Sequence, residues 1–359
     1  MFDINFYMQA RAIQKEINAG EKFSKEELFK KFEQFRSKVP VVYNIETTNA
    51  CNMRCEMCPR TTMMTRPVKT LKKDTFEKII DQLKPFTAQE WKIWENFCET
   101  EYGITHKDMS ENHFFLHIIP KVIQLHGYGD PLLDKNMADY VSLLHEKGFS
   151  SYFSCNPANI DMDATRKMFE NNLDYIKYSL ESVSDITHKK IRGTASNFSE
   201  SYKKILQLLA LKKESGYKTT IIITMLNLNR PDQMDDFRKL REAFAGKDVY
   251  IYLKSEDQQW YRKDYHGTAS VHWSEICKHP WMSMTIKSNG EAAMCMEDFN
   301  NEIILGDATN ESLADIWNGE KYHNFRWDHF NQTPGLKCKE QCDMHLIGEY
   351  CGSRLTESL

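Results

Sequence analysis

The chain has 359 residues and a net charge of −4 at pH 7, and 41% of its residues are hydrophobic while 27% are charged. This length suits one large domain plus a small one, and the composition is that of an ordinary soluble globular protein. The acidic balance argues against a nucleic-acid partner. The chain also has no signal-peptide pattern and no apolar run near the roughly 20 residues of a membrane span. We therefore expect a cytoplasmic protein that contacts no membrane.

The first 40 residues are predicted to be helical. Phe and Leu recur at three- and four-residue steps between residues 23 and 35, with Lys and Glu between them, which is typical of an amphipathic helix. Pro40 ends this region, and the β-rich segment 41–48 follows it. We expect the N-terminal helices, 1–40, to pack against the rest of the chain.

Strand and helix patterns then alternate as far as residue 260. Residues 71–83 predict a helix, and residues 85–117, rich in Trp, Phe and His, are interpreted as an inserted helix and loop that packs against the barrel rather than lining a pocket. Further strands are predicted near 121–131, 150–159, 175–182, 219–227 and 249–255, with helices near 134–147, 162–171, 199–214 and 232–244. Repeated βα units indicate a parallel sheet. About six units are too few for an eight-stranded barrel, so we predict the α/β fold class, with an open partial (β/α)6 barrel over residues 41–260.

The pattern changes in residues 261–359. Residues 283–297 predict a β-hairpin, because Asn289-Gly290 is a strong turn signal between two β-rich segments. A helix is predicted near 311–318, and a cysteine-rich tail follows. We expect this region to form a small α+β domain.

Ten cysteines require an explanation. Most fall into two groups, one between residues 51 and 58 and one between 277 and 351, with Cys98 and Cys155 between the groups. In a reducing cytoplasm, clustered cysteines are metal ligands or reactive thiols more often than disulfides. The grouping therefore predicts two metal sites.

The first group has the spacing C-x3-C-x2-C and comprises Cys51, Cys55 and Cys58, directly after the predicted first strand. Thiolates are soft anionic ligands that suit iron–sulfur clusters. Three of them can hold three corners of a [4Fe–4S] cubane and leave the fourth iron open. The alternative is a structural zinc site, which needs four ligands and would have to borrow a histidine.

This motif resembles that of the radical S-adenosylmethionine (SAM) superfamily, and the resemblance extends from residue 41 to about 255. It implies that Cys51, Cys55 and Cys58 hold a [4Fe–4S] cluster whose open iron is chelated by the amino and carboxylate groups of SAM. One electron, from a flavodoxin- or ferredoxin-type donor, then cleaves SAM to methionine and a 5′-deoxyadenosyl radical. That radical abstracts hydrogen from the substrate, and the protein positions the reactants.

The same resemblance implies a set of SAM contacts. The run Gly127-Tyr128-Gly129-Asp130-Pro131 is similar to the family's Gly-Gly-Glu-Pro motif, with Tyr in place of the second Gly and Asp in place of Glu. Glycine at such positions allows a ligand to approach the backbone closely. The full set of implied cofactor-binding residues is Met57, Gly127, Tyr128, Gly129, Asp130, Ser154, Asn156, Ser179, Glu181 and Arg192.

The second cysteine group comprises Cys277, Cys295, Cys338 and Cys342. These four thiols suit either a closed iron–sulfur cluster or a zinc ion. Residues 277–345 resemble the twitch or SPASM region of many radical SAM enzymes, which implies a second, auxiliary [4Fe–4S] cluster. The chain has five cysteines from residue 277 onward, fewer than the full SPASM form, so one auxiliary cluster is expected. C-x3-C replaces the commoner C-x2-C, which leaves open the alternative that Cys351 replaces Cys338 or Cys342 as a ligand.

Three hypotheses for function follow. The first is a radical SAM oxidoreductase that oxidises a small molecule, such as an alcohol on a sugar or cyclitol, as in the butirosin-pathway dehydrogenase group that this cysteine layout resembles. Lys254 or Asp257, after the last barrel strand, would supply a base. The second is a redox-neutral epimerase with Cys351 or Cys155 as hydrogen donor, or an enzyme that modifies a peptide. The third is a zinc-stabilised binding protein without SAM.

Overall fold

The computed structural model describes residues 1–105, 109–254 and 276–338. Within these residues, one sheet is formed by the strands β1 (Val42–Ile45), β2 (Val122–Gln124), β3 (Ser150–Cys155), β4 (Tyr175–Ser179), β5 (Thr220–Leu226), β6 (Tyr250–Lys254), β7 (Met284–Ile286), β8 (Glu291–Ala293) and β9 (Ile304–Asp307). Their order across the sheet is β6-β5-β4-β3-β2-β1-β7-β8-β9. All pairings from β1 to β6 are parallel. The predicted α/β class with a six-stranded parallel partial barrel is confirmed.

Helices precede, connect and follow these strands. They are α1 (Ile4–Asn18), α2 (Lys25–Phe35), α3 (Pro59–Thr62), α4 (Lys73–Ile80), α5 (Ala88–Tyr102), α6 (Glu111–His113), α7 (Met137–Glu146), α8 (Met162–Glu170), α9 (Asp185–Arg192), α10 (Phe198–Ser215), α11 (Gln233–Ala243), α12 (His279–Met282), α13 (Leu313–Asn318) and α14 (Glu320–Asn331). Short 3₁₀ turns cover Pro131–Leu133 and Pro157–Asn159, and a π-helical turn covers Phe114–Ile118. None of the helices in these ranges is long and apolar enough to cross a membrane.

Helix α9 was not predicted as a helix. Its sequence has only two isoleucines, and Ile186 is exposed while Ile191 is buried, so the segment lacks an apolar stripe. It forms because Ser184 caps its N-terminus by accepting a hydrogen bond from the Thr187 N–H. The N–H groups of Arg54 and Glu56 also donate to the last carbonyls of this helix, those of Arg192 and Ile191.

The two faces of the barrel sheet pack against different layers. On β3, Phe153 and Cys155 join the core formed with the barrel helices, while Tyr152 points to the opposite face. There the ring of Phe114 packs 5.4 Å from Tyr152. Trp94 of α5 belongs to the same core and donates to the carbonyl of Leu116 at 2.6 Å. The aromatic side chains Trp94 and Phe114 of this segment therefore pack against the sheet.

The C-terminal strands continue the barrel sheet. Strand β7 pairs in parallel with β1, and β7 and β8 form the predicted hairpin. Gly290 lies in its turn at φ +90°, a conformation that favours glycine. Helix α13 agrees with the helix predicted near 311–318. The boundary predicted near residue 260 lies outside the described residues.

Candidate active site

The first cysteine loop follows β1 at the carboxyl edge of the parallel strands, where barrel active sites are built. Cys55 is buried, Cys51 and Cys58 are half-buried, and all three are free thiols. The loop is held by the C-terminus of α9, because the Arg54 N–H donates to the Arg192 carbonyl at 3.1 Å. This contact fixes the backbone immediately before Cys55.

Burial and mutual repulsion act on these thiols. Burial raises the pKa of Cys51, and it raises the pKa of Cys58 to about 11. The charges of Asp130 and Cys55 raise the pKa of Cys51 further, and those of Cys55 and Cys51 raise the pKa of Cys58 further. Iron binding opposes this effect, because a coordinated thiol is deprotonated.

The donor set fits a cluster. The described residues hold no group of three or more His, Cys, Asp or Glu side chains arranged for a single metal ion. In a four-iron cubane each thiolate binds a different iron, so one loop can supply three corners without gathering its sulfurs around one ion.

Arg192 adds a positive charge beside the loop. Its Nη1 lies 3.7 Å from Cys55 Sγ, and its Nη2 pairs with the carboxylate of Glu181. Burial lowers the pKa of Arg192, but the charges of Glu181 and Cys55 outweigh burial and raise it. The guanidinium therefore stays charged and can offset thiolate charge.

Glu181 is bonded to the chain through both of its carboxylate oxygens. It is fully buried, and its second carboxylate oxygen accepts from the Leu226 N–H at 2.8 Å. Both oxygens therefore accept from the chain, and Glu181 holds Arg192 in place. Its predicted contact with SAM stays a prediction.

Asp130 joins three loops. It is buried, and its Oδ2 accepts from the Asn156 N–H at 3.1 Å and from Asn159 Nδ2 at 2.7 Å. Asn159 in turn bonds to Asn52 of the cysteine loop at 2.8 Å. Burial raises the pKa of Asp130. The structure thus brings the predicted SAM contacts of β2 and β3 beside the cysteines.

Two buried donors at this edge are unsatisfied within the described chain. Asn156 Nδ2 and Arg192 Nε have no hydrogen-bond partner there. Buried donors are normally paired, and an unpaired one costs about 1–3 kcal/mol. An acceptor-rich ligand such as the carboxylate of SAM suits both of them.

The glycines of the β2 loop are required for a reason that the sequence did not reveal. A Cβ on Gly129 would lie 2.1 Å from the Thr48 carbonyl oxygen, and one on Gly127 would lie 2.6 Å from the Glu46 side chain. The structure thus shows a close approach between this loop and the end of β1. The predicted approach of a ligand to these glycines stays a prediction.

Some of the remaining predicted site residues lie at the inner face of the barrel or in the cysteine loop, and the others lie outside the described residues. Ser154, Ser179 and Lys254 lie near the carboxyl ends of β3, β4 and β6 on the barrel's inner face, and all three are half-buried. Met57 is half-buried in the cysteine loop. Asp257, Cys342 and Cys351 lie outside the described residues.

Cys155 lies on the opposite face of β3. Its thiol is buried in the core beneath the barrel helices, and its Sγ contacts the Lys177 carbonyl at 3.7 Å. Burial raises its pKa well above the usual value. The expectation that Cys155 faces the active site is wrong, because the side chains of a strand alternate between the two faces.

Sequence reasoning missed a buried ion pair at the end of β1. Glu46 is fully buried and binds both terminal nitrogens of Arg66 at 2.9 Å. Burial raises the pKa of Glu46, but the Arg66 bonds and charge, with Lys287 and the Tyr128 N–H, outweigh it and lower the pKa to about 2. A carboxylate at the end of an apolar strand was the only signal in the sequence.

Two inner-face residues were also missed. The ring of His126 packs 5.2 Å from that of Tyr152, and Lys177 Nζ lies 5.2 Å from the ring of Phe114. Burial and the nearby charge of Lys177 lower the pKa of His126 to about 3, so the imidazole is neutral at physiological pH. Alternation along the strands could have placed both residues inside the barrel.

Three cysteines of the second group lie within the described residues. Cys295 follows β8 and is buried, Cys277 is half-buried, and Cys338 is buried. Burial raises the pKa of Cys295, and the charges of Glu297 and Cys277 raise it further. The set of ligands that the resemblance implies for an auxiliary cluster stays a prediction.

Two family models match the chain. The model of the radical SAM superfamily matches residues 108–255, and that of the SPASM iron–sulfur cluster-binding domain matches residues 277–343. The chain therefore contains a radical SAM domain followed by a SPASM domain. The first domain binds a [4Fe–4S] cluster and SAM, and the second binds auxiliary iron–sulfur clusters.

Individual proteins are similar over most of their length. The tungsten-containing aldehyde ferredoxin oxidoreductase cofactor-modifying protein of Pyrococcus furiosus is 21% identical over 328 residues, covering 79% of this chain and 82% of that protein. SuiB of Streptococcus suis, bound to its precursor peptide SuiA, has a TM-score of 0.51 at 14% identity, covering 92% of this chain and 77% of that one. BtrN in complex with AdoMet and 2-DOIA has a TM-score of 0.49 at 15% identity, covering 84% and 92%.

Proposed function

We propose that this radical SAM enzyme is an oxidoreductase acting on a small molecule, such as an alcohol on a sugar or cyclitol, with the help of one auxiliary [4Fe–4S] cluster. The observation that supports it is the pairing of β7 with β1. Since β7 pairs directly with β1, the region that carries the second cysteine group is joined to the strand before the first cysteine loop, and an electron acceptor there would lie against the SAM-cleaving domain.

The proposed ligand sets follow from the two cysteine groups. Cys51, Cys55 and Cys58 hold the SAM-cleaving cluster, and Cys277, Cys295, Cys338 and Cys342 hold the auxiliary one. When bound, SAM with its cluster supplies a hydrogen-abstracting radical, and the auxiliary cluster supplies an acceptor for one electron. A flavodoxin- or ferredoxin-type protein is the proposed electron donor, and the cytoplasm the proposed location.

Side chains of the protein would accept the substrate proton and hold SAM. Oxidation of an alcohol to a ketone removes a hydrogen atom from carbon, a proton from oxygen and one electron. Lys254, at the inner carboxyl end of β6, and Asp257 after it are the proposed bases for that proton. Arg192 Nε and Asn156 Nδ2 are the proposed donors to the carboxylate of SAM, and Glu181 keeps Arg192 in place.

A redox-neutral epimerase, or an enzyme that modifies a peptide as the SuiB complex illustrates, is the second candidate. An epimerase needs a hydrogen donor in the active site. Cys155 lies on the wrong face of β3 for that role, so Cys351 is the remaining thiol proposed for it.

Iron analysis tests the auxiliary cluster first. Anaerobically reconstituted protein is expected to hold about eight irons per chain, and the Cys338→Ala/Cys342→Ala variant about four. About four irons in both proteins would remove the proposed electron acceptor and favour the redox-neutral candidate.

Substrate screening then separates the reactions. The enzyme is incubated with a panel of aminocyclitols and sugars in deuterated water, and 5′-deoxyadenosine and product masses are measured. A product that has lost two hydrogens supports the oxidoreductase. A product that instead gains deuterium at carbon without oxidation contradicts it, and loss of that reaction in Cys351→Ala would identify the donor.

A further inference from the structure

Tyr128 replaces a glycine of the family's SAM motif, and its side chain reaches the auxiliary-cluster hairpin. Its hydroxyl donates to Glu297 Oε2 at 2.8 Å. The N–H of Glu297 donates to Cys295 Sγ at 3.4 Å. A single residue therefore connects the β2 loop to the segment that carries a proposed auxiliary ligand.

A second connection runs through the same residue. The backbone N–H of Tyr128 donates to Glu46 Oε1 at 3.0 Å, while Glu46 Oε2 accepts from the N–H and the hydroxyl of Ser288 at 3.0 and 2.9 Å. Ser288 lies in the turn of the hairpin. Because Arg66 holds both oxygens of Glu46, this carboxylate has little freedom to move independently of either loop.

Packing around the ring limits its movement as well. The ring of Tyr128 lies 6.0 Å from that of Phe299, and Lys287 Nζ lies 6.0 Å from its centre. Both neighbours belong to the C-terminal region. The β2 loop and the hairpin are therefore joined through both side-chain and backbone contacts of Tyr128.

We propose that Tyr128 is a positioning residue that couples SAM binding in the barrel to the environment of the auxiliary cluster. This inference rests on the proposed function, since it takes Cys295 as an auxiliary-cluster ligand. Coupling between two sites is reciprocal: if SAM changes the electron affinity of the auxiliary cluster, reduction of that cluster changes the affinity for SAM by the same factor.

The test uses full-length protein reconstituted with iron and sulfide. The midpoint potential of the auxiliary cluster is measured by EPR-monitored titration with and without SAM, in wild type, Tyr128→Phe and Glu297→Ala. The first variant keeps the ring and removes only the hydroxyl, and the second removes the same bond from the other side. SAM is expected to shift the wild-type potential, and both variants are expected to lose at least about half of that shift.

Tyr217→Phe is the matched control. Its hydroxyl also donates to a glutamate, Glu170 at 3.3 Å, but this bond is exposed and lies between α8 and the end of α10. The control is expected to keep the full shift. A full shift in Tyr128→Phe, or no shift in wild type with two clusters, would overturn the coupling while leaving the proposed function intact. A wild type that assembles only the SAM-cleaving cluster would overturn both.

Discussion

The cysteine loop after β1 and the cysteine hairpin after β7 lie on neighbouring strands, but the chain builds them from different ranges of sequence. The loop takes its three thiols from residues 51–58 and leaves two of them half-buried. The proposed hairpin site would draw Cys277, Cys295 and Cys338 from three separate segments, and two of these thiols are buried. A site that must admit SAM needs an open side, whereas a closed auxiliary cluster needs only enclosure.

The largest expected effect comes from removing a thiol of the open loop. Cys55→Ala should lose about four irons per chain and reduce SAM cleavage to background, because a cluster with two ligands is not retained. Cys98→Ala is the control, since Cys98 is a buried thiol of α5 outside both groups. SAM cleavage that persists in Cys55→Ala would show that the loop is not the SAM site.

The corresponding change in the hairpin should break only the second site. Cys295→Ala is expected to lose about four irons and to keep SAM cleavage within about threefold, while substrate oxidation stops. Iron content and 5′-deoxyadenosine formation are measured together. If this variant loses SAM cleavage as completely as Cys55→Ala does, SAM cleavage at the first site depends on the second cysteine group, which contradicts two independent sites.

Removing the negative charge of Glu181, which pairs with Arg192 beside the cysteine loop, should lower the free energy of unfolding. Glu181→Gln leaves the Arg192 guanidinium buried without its carboxylate, and breaking such a pair costs about 3 kcal/mol or more. The free energy of unfolding of the apo protein, from urea denaturation, measures it. Asp139→Asn breaks an exposed pair with Lys73 and should cost less than about 1 kcal/mol. Equal costs in the two variants would contradict this assignment.

The carboxylate of Glu46, which bonds to both the β2 loop and the hairpin turn, should make the free energy of unfolding depend on pH. The pKa of Glu46 falls from 4.5 to about 2 on folding, so the ionised form adds about 3 kcal/mol of stability at neutral pH. A lowered folded-state pKa means that this stability is present above the unfolded pKa and is lost as pH falls from about 5 to about 2.

Unfolding free energies of wild type and Glu46→Gln across that range check the prediction. The wild type should lose more stability on acidification than the variant does, since the amide does not titrate. Parallel curves for the two proteins would mean that Glu46 does not carry the expected shift.

The features that could be predicted from sequence were local ones. The C-x3-C-x2-C spacing, the βα alternation and the Asn289-Gly290 turn each act over a few residues, so short patterns reveal them. Helix α9 was missed because its stability comes from a cap and from contacts to the cysteine loop rather than from an apolar stripe.

The contacts that organise the site were not accessible to such patterns. Glu46 and Ser288 are 242 residues apart, and Tyr128 and Glu297 are 169 apart. Nothing in the composition of either segment specifies its partner at that distance. The substitution of Tyr for Gly in the SAM motif was visible in the sequence, but the hydrogen bond from Tyr128 to Glu297 could be found only in the structure.

The pairing of β7 with β1 also has a consequence for synthesis. Val42 pairs with Met284, so β1 leaves the ribosome long before the strand that covers its second edge. At about 5–20 residues per second the delay is on the order of 10–50 s. During that interval β1 is an unprotected edge strand, which is a hazard for misassembly. Complete enclosure of the first cysteine loop therefore has to wait for the C-terminal region to be made.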